Sequence, residues 1–229
     1  MVATRVEVVG DAPGRGFPWE LPAVRGLPLD LGPEITVLVG ENGSGKSTLI
    51  EAIAEAAGLN PEGGSWQVAF ETEATHSPLA HRLRISWHGR LPPGWFLRAE
   101  SFYNVASHRD RNPSPREEIS YHEVSHGESF LAVAREWFEA ARFFVLDEPE
   151  AALSFRGQLA LIDAIRRGVA AGGQFVLATH SPVLMALPGA HLVCLDEDGL
   201  RPTTYEDLEV VELWRSFLET PDRFLRHLG

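Results

Sequence analysis

The chain has 229 residues, 44% of them hydrophobic and 23% charged, enough apolar material for one generous globular core. Its formal net charge of −12 argues against binding nucleic acid through overall charge, and leaves room only for a local arginine patch. No apolar run reaches the ~18 residues of a membrane span. The start, MVATRVEVVGDAPG, lacks a secretory layout. The single Cys194 excludes an internal disulfide and suits a reducing compartment, so a cytoplasmic location is expected.

Arg5–Val9 alternates like a strand, and residues 11–32, rich in Pro and Gly, read as loop with short extended pieces. Glu34–Gly40 (EITVLVG) is apolar and β-branched, as a buried central strand should be. STLIEAIAEAAG then carries apolar residues at helical spacing, with Gly58 as a stop. Trp66–Phe70, Leu83–Trp87 and Trp95–Arg98 resemble short strands. Ser107–Glu118 is a polar loop whose Arg109, Arg111 and Arg116 could dock a protein partner or a nucleic-acid strand, though such loops are more often simply solvated. Glu128–Ala141 reads as helix. Phe143–Asp147, Gln174–Ala178 and His191–Leu195 read as strands, with the helix Gln158–Ala171 between the first two. Strands alternating with helices predict a mainly parallel sheet covered on both faces, with an antiparallel piece. At the end, Asp207–Glu219 places Leu208, Val211, Leu213, Trp214 and Phe217 on roughly one side, and Thr220-Pro221-Asp222 looks like the capped start of a second helix. Both are expected to pack on the sheet.

Gly40, Gly45, Lys46 and Ser47 fit G-x-x-x-x-G-K-[ST] between a buried strand and an apolar helix. That pattern predicts a phosphate cradle over Gly40, Glu41, Asn42, Gly43, Ser44, Gly45, Lys46, Ser47 and Thr48. Glycines let the backbone turn and aim N–H groups inward, and the helix start faces the anion. Lys46 would reach the β- and γ-phosphates and Ser47 would ligate Mg²⁺. Lys46 is the only lysine of the chain. A compact ammonium fits a narrow backbone cage that a planar guanidinium does not. FFVLDEPE then puts two carboxylates at the tip of an apolar strand. Asp147 would orient the Mg²⁺ shell and Glu148 would act as general base toward water. Exposed acids at a strand end are the bland alternative.

VSHGES (Val124–Ser129) resembles the LSGGQ-type signature of ABC ATPases, and ATHSP (Ala178–Pro182) resembles their switch-histidine segment. The four segments follow the family's order from about Ile35 to Ala190. FLRAESFYN, SHGESF, LDEPEAALS and ATHSP resemble, more narrowly, small stand-alone AAA-family ATPases of the AAA_21-like, SMC-like branch. The resemblance implies an ABC ATPase head with P-loop NTPase fold, Mg²⁺-dependent ATP hydrolysis, and a homodimer with ATP sandwiched between copies. It assigns Ser125 and Gly127, with His126 and Glu128 in the same signature, to contact ATP in trans, and His180 to sense the γ-phosphate. His126 and Glu128 themselves depart from the usual glycine and glutamine, and Ser154 stands where an aspartate is usual. No glutamine sits where the family's Q-loop is expected; Glu100 is the substitute, and it could help hold Mg²⁺ or water or equally be an ordinary salt-bridge acid. Phe17 or Trp19 could stack on adenine, against a core role for at least one of them. The chain is expected to be one domain, 1–229, with its core at about 34–196 and helices at 205–228 packed on it. A nucleotide-switched binding module with little turnover and the ATP-binding subunit of a transporter remain alternatives.

Overall fold

The computed structural model describes residues 2–10, 15–60, 78–89, 93–98, 130–132, 134–135, 137–138 and 143–226. Its strands are β1 Val2–Val8, β2 Leu29–Asp30, β3 Ile35–Gly40, β4 Leu83–His88, β5 Gly94–Arg98, β6 Phe143–Asp147, β7 Gln174–Ala178, β8 His191–Asp196 and β9 Gly199–Thr203. The apolar, β-branched runs assemble into one six-stranded sheet ordered β5-β6-β7-β3-β8-β9. All neighbours are parallel except β9, which runs antiparallel to β8 at the edge. Every residue of β6 and β7 is buried, the mark of strands covered on both faces.

Alternation sends successive side chains to opposite faces. Val37, Phe144, Leu146, Phe175 and Leu177 pack against Leu161, Ala164 and Ile165 of helix α3, Phe155–Ala170. Phe130, Ala134, Trp137 and Phe138 join them at helical spacing. On the other face, Leu38, Val145, Val176 and Val193 meet Leu49, Ile50 and Ile53 of helix α2, Lys46–Ala56. A short helix α1, Pro22–Arg25, lies earlier in the chain. A second, antiparallel sheet, β2-β1-β4, closes this side. Trp95–Arg98 thus belongs to the main sheet, whereas Leu83–Trp87 belongs to the small one.

One side chain ties the two sheets. Gln174, 2% exposed, accepts from the Ala3 amide at 2.7 Å and donates to the Ala3 and Gly32 carbonyls, both at 2.8 Å. Ala3 stands where the β1–β4 register shifts, so its backbone groups find partners in the side chain instead of the ladder.

The predicted helix at 158–171 starts earlier, at Phe155, because the Ser154 hydroxyl caps it by accepting from the Gly157 amide at 3.2 Å. A helical turn α4, Pro182–Met185, and strand β9 were not expected from the sequence. The C-terminal helices are α5 Glu209–Glu219 and α6 Pro221–Leu225. Only Leu208 and Val211 enter the core, while Leu213 and Trp214 stay half exposed and Leu218 is 70% exposed. The expected packing of that whole apolar side is therefore corrected. At 3.6 residues per turn, Leu213 and Phe217 lie about 140° and 180° round from Leu208, too wide for one contact. Thr220 precedes α6 but its side chain makes no capping bond.

Gln174→Leu leaves three main-chain groups without their partner. It should cost about 3 kcal/mol and lower the melting temperature by roughly 6–12 °C. Urea and thermal unfolding check this, and an unchanged midpoint would show that the bridge carries no weight.

Candidate active site

The site forms where β3 runs into α2. Gly40 ends the strand so close to β8 that a Cβ there would lie 2.4 Å from the Leu195 carbonyl oxygen. Gly43 and Gly45 take φ of 82° and 93°, a region L side chains avoid. The chain therefore folds over its own first helical residue. Lys46 donates from Nζ to the Gly40 and Glu41 carbonyls, each at 2.8 Å, and more weakly to Ser44 Oγ at 3.4 Å. It is 4% exposed. Burial pushes its pKa down, and the negative charges of Glu148, Asp147 and Glu150 oppose that.

Asp147 closes β6 and is 3% exposed. Burial pushes its carboxyl pKa up, and hydrogen bonds from Arg98 and Ser47 counter this. Arg98 ends β5 directly opposite Asp147 in the parallel register. Its Nε and Nη2 both donate to Asp147 Oδ2, at 3.1 and 2.9 Å, and Nη2 also pairs with Glu51. Ser47 and Glu51 stand four apart on α2, so they share a face, and both turn toward this pair. Asp147 Oδ1 is buried with no hydrogen-bond partner among the described residues. A free carboxylate oxygen beside a hydroxyl is a donor set that fits Mg²⁺, a hard cation usually held by one or two carboxylates plus phosphate oxygens.

Glu148 follows in a left-handed conformation, φ 44° and ψ 51°, which costs a non-glycine residue on the order of 1–2 kcal/mol. Its amide is held by the Ala178 carbonyl at 3.0 Å. The half-exposed carboxylate lies 3.4 Å from His180 Nε2 through Oε1. Glu150 reaches the same segment from behind, accepting from the His180 and Ser181 amides.

A cavity of about 280 Å³ is lined by Asn42, Gly43, Gly45, Lys46, Ser47 and Thr48, together with Glu148, His180, Phe17 and Leu21. The structure thus brings the loop, the acid and the histidine of the sequence reading to one opening. Gly40, Glu41 and Ser44 hold Lys46 from beneath, and Asp147 joins through Ser47. The two aromatics part company: Phe17 is 70% exposed at the rim, while Trp19 is 8% exposed in the core. Glu100, the segment Ser125, His126, Gly127 and Glu128, the strand Trp66–Phe70 and the loop Ser107–Glu118 lie outside the described residues. Sequence reasoning missed Arg98 and Glu150. The available signal was a charge ending the apolar strand Gly94–Arg98 and a second glutamate in DEPE.

A parallel sheet with a glycine loop at one strand end and an acidic pair at the next but one defines a P-loop nucleoside triphosphatase. The comparisons agree. Residues 17–65 match a family model described as "AAA domain", and residues 81–186 match one described as "AAA domain, putative AbiEii toxin, Type IV TA system". The chain is 31% identical over 165 residues to the cytochrome c biogenesis ATP-binding export protein CcmA of Rhodopseudomonas palustris, covering 66% of this chain and 80% of that protein. It is 26% identical over 224 residues to an uncharacterized ABC transporter ATP-binding protein of Haemophilus influenzae, covering 86% of this chain and 83% of the relative. In fold it is similar to an ATP-binding cassette of an ABC transporter in its ADP conformation (TM-score 0.54, 15% identity, 94% of this chain and 99% of that one). It is similar also to the SMC head domain from Thermotoga maritima (TM-score 0.51, 16% identity, 89% and 99%). The chain belongs to the ABC-type P-loop ATPases, and is an ATP hydrolase. Among the described residues no helix is long and apolar enough to cross a membrane.

Gly40→Ala forces a Cβ against the Leu195 carbonyl. It should cost about 2 kcal/mol or more, a fall in melting temperature of roughly 4–8 °C. Asn42→Ala, exposed in the same loop, should leave the melting temperature unchanged. Differential scanning calorimetry of the two variants checks the pair.

Proposed function

We propose that the chain is a single domain, 1–229, that hydrolyses ATP with Mg²⁺ as an ATP-sandwiched homodimer in the cytoplasm. The observation that carries the reading is the buried Lys46 ammonium. It lies on neutral loop carbonyls at the floor of the cavity, facing the charges of Asp147, Glu148 and Glu150. A phosphate oxygen would replace those carbonyls as its partner, and the loop amides from Asn42 to Thr48 would cradle the β- and γ-phosphates. Ser47 and the free Oδ1 of Asp147 would hold Mg²⁺, which neutralises charge on the phosphates.

In this mechanism Glu148 Oε takes a proton from water as the water oxygen attacks the γ-phosphorus in line. The bond to the β–γ bridging oxygen breaks, and ADP and phosphate result. His180 donates to a γ-oxygen and steadies Glu148. Ser125 and Gly127 of a second copy, flanked by His126 and Glu128, would contact the same phosphate, and Glu100 would help hold Mg²⁺ or its water. Phe17 stacks on adenine from the rim.

A second reading is that the head works for a membrane partner, as an ATP-binding subunit. The names of the transporter-type relatives favour it. Co-purification from solubilised membranes tests it, and a lone cytosolic protein would sink it.

Glu148→Gln is expected to lose about 100-fold or more in kcat, to keep its affinity for ATP, and to accumulate as a dimer on gel filtration with Mg²⁺ and ATP. Lys46→Ala should lose ATP affinity, and EDTA should abolish turnover in the wild type. Phosphate release and fluorescent-nucleotide titration read all three. Unchanged turnover in Glu148→Gln would remove the assigned base.

A further inference from the structure

Glu150 sits in the short 3-10 turn Pro149–Ala152, two residues past Glu148. Its Oε1 accepts from two successive amides, His180 at 2.6 Å and Ser181 at 3.1 Å. Its Oε2 is buried with no hydrogen-bond partner among the described residues. On the far side of the histidine the chain is pinned as well. Thr179 donates its amide to the Leu38 carbonyl at 3.2 Å. The Ser181 hydroxyl donates to Gln158 and accepts from the Val183 amide, capping α4. Between those pins, the His180 amide donates to Glu150.

We propose that Glu150 is a positioning residue for His180: its carboxylate fixes the histidine's main chain and so sets the 3.4 Å approach of the imidazole to Glu148. The inference rests on the role given to His180 above. The reasoning is mechanical. Glu148 and Glu150 belong to one tight turn, closed by the Ala151 amide on the Glu148 carbonyl at 3.1 Å. Any shift of the base therefore drags the anchor of the histidine with it, and the pair moves as a unit. A carboxylate makes stronger, charge-assisted bonds to the two amides than a neutral acceptor would. Among the described residues its second oxygen makes no hydrogen bond, so an amide side chain retaining one oxygen keeps the anchor.

The test compares Glu150→Leu, Glu150→Gln and His180→Ala, singly and combined, by kcat, KM for ATP and melting temperature. Glu150→Leu should lower kcat about tenfold or more with KM little changed. Glu150→Gln should stay within about threefold of the wild type, because it keeps an acceptor. Glu150→Leu added to His180→Ala should cost nothing further, since a lost anchor cannot matter without the imidazole. Additive losses, or an unaltered kcat in Glu150→Leu, overturn the proposal. Should the leucine variant fail to fold, Glu150→Asp, one methylene shorter, is expected to lose at least about threefold in kcat at unchanged KM, and an unaltered kcat there is equally fatal. Wild-type turnover in His180→Ala alone would instead overturn the reading on which the inference stands.

Discussion

The ammonium of Lys46 on the carbonyls of Gly40 and Glu41 is the contact from which the site is built. An ammonium has three protons, and here all three point at neutral oxygens of one loop. Carbonyl dipoles offset the desolvation of a buried charge only in part, which is why burial still depresses its proton affinity. A phosphate oxygen carries the full charge that a carbonyl lacks. Exchange of one partner for the other is therefore favourable, and it hands the loop carbonyls back to water. The geometry demands the glycines as well. The loop can reach round its own lysine only with left-handed turns at Gly43 and Gly45 and with β8 pressed against Gly40.

Around that ammonium the charges are unequal. Among the described residues Lys46 and Arg98 are the cations there, and Asp147, Glu51, Glu148 and Glu150 are the carboxylates. The excess of negative charge suits a divalent cation together with the attacking water, while the ion pair with Arg98 works against the upward push that burial gives the Asp147 carboxyl. Arg98 also couples elements. Through Glu51 it binds the helix that carries the loop, and through Asp147 the strand that carries the acids. Gln174 plays the matching part at the opposite end of β7, where it joins the main sheet to the small one. The site is thus framed by two polar clamps, and the apolar layers between them set the spacing.

The core strands were legible because each is an apolar run of strand length bounded by Gly or an acid, and burial on both faces leaves that pattern unbroken. The loop was legible because its chemistry needs specific residues at fixed spacing. The acidic pair and His180 could be placed at strand ends for the same reason. Other features depend on contacts distant in the chain. Arg98 gains its meaning only from lying opposite Asp147 across β5 and β6, and nothing in FLRAES announces that register. Glu150 reads as one more surface acid until the fold brings His180 to it. Strand β9 carries an exposed Arg201-Pro202 centre, with only Gly199 buried, as an edge strand can, so it has no apolar run to detect. The stripe on α5 misled because apolar residues scattered around a helix look like one face when counted along the sequence.

The turn after β6 shows how these constraints combine. Glu148 alone among the described non-glycine residues has a positive φ, and such a conformation persists only where its surroundings over-determine it. Its amide is tied to Ala178, its carbonyl receives the Ala151 amide, and Glu150 two residues on is tied to the segment that follows Ala178. Both anchors therefore lie on β7 and its extension, the strand between β6 and β3. Relaxing Glu148 to an ordinary conformation would swing its carboxylate and release Glu150 from two amides at once. The cost of the strained residue is thus set against hydrogen bonds that form only while it is strained, and this is what holds a half-exposed carboxylate in one place over the lysine loop.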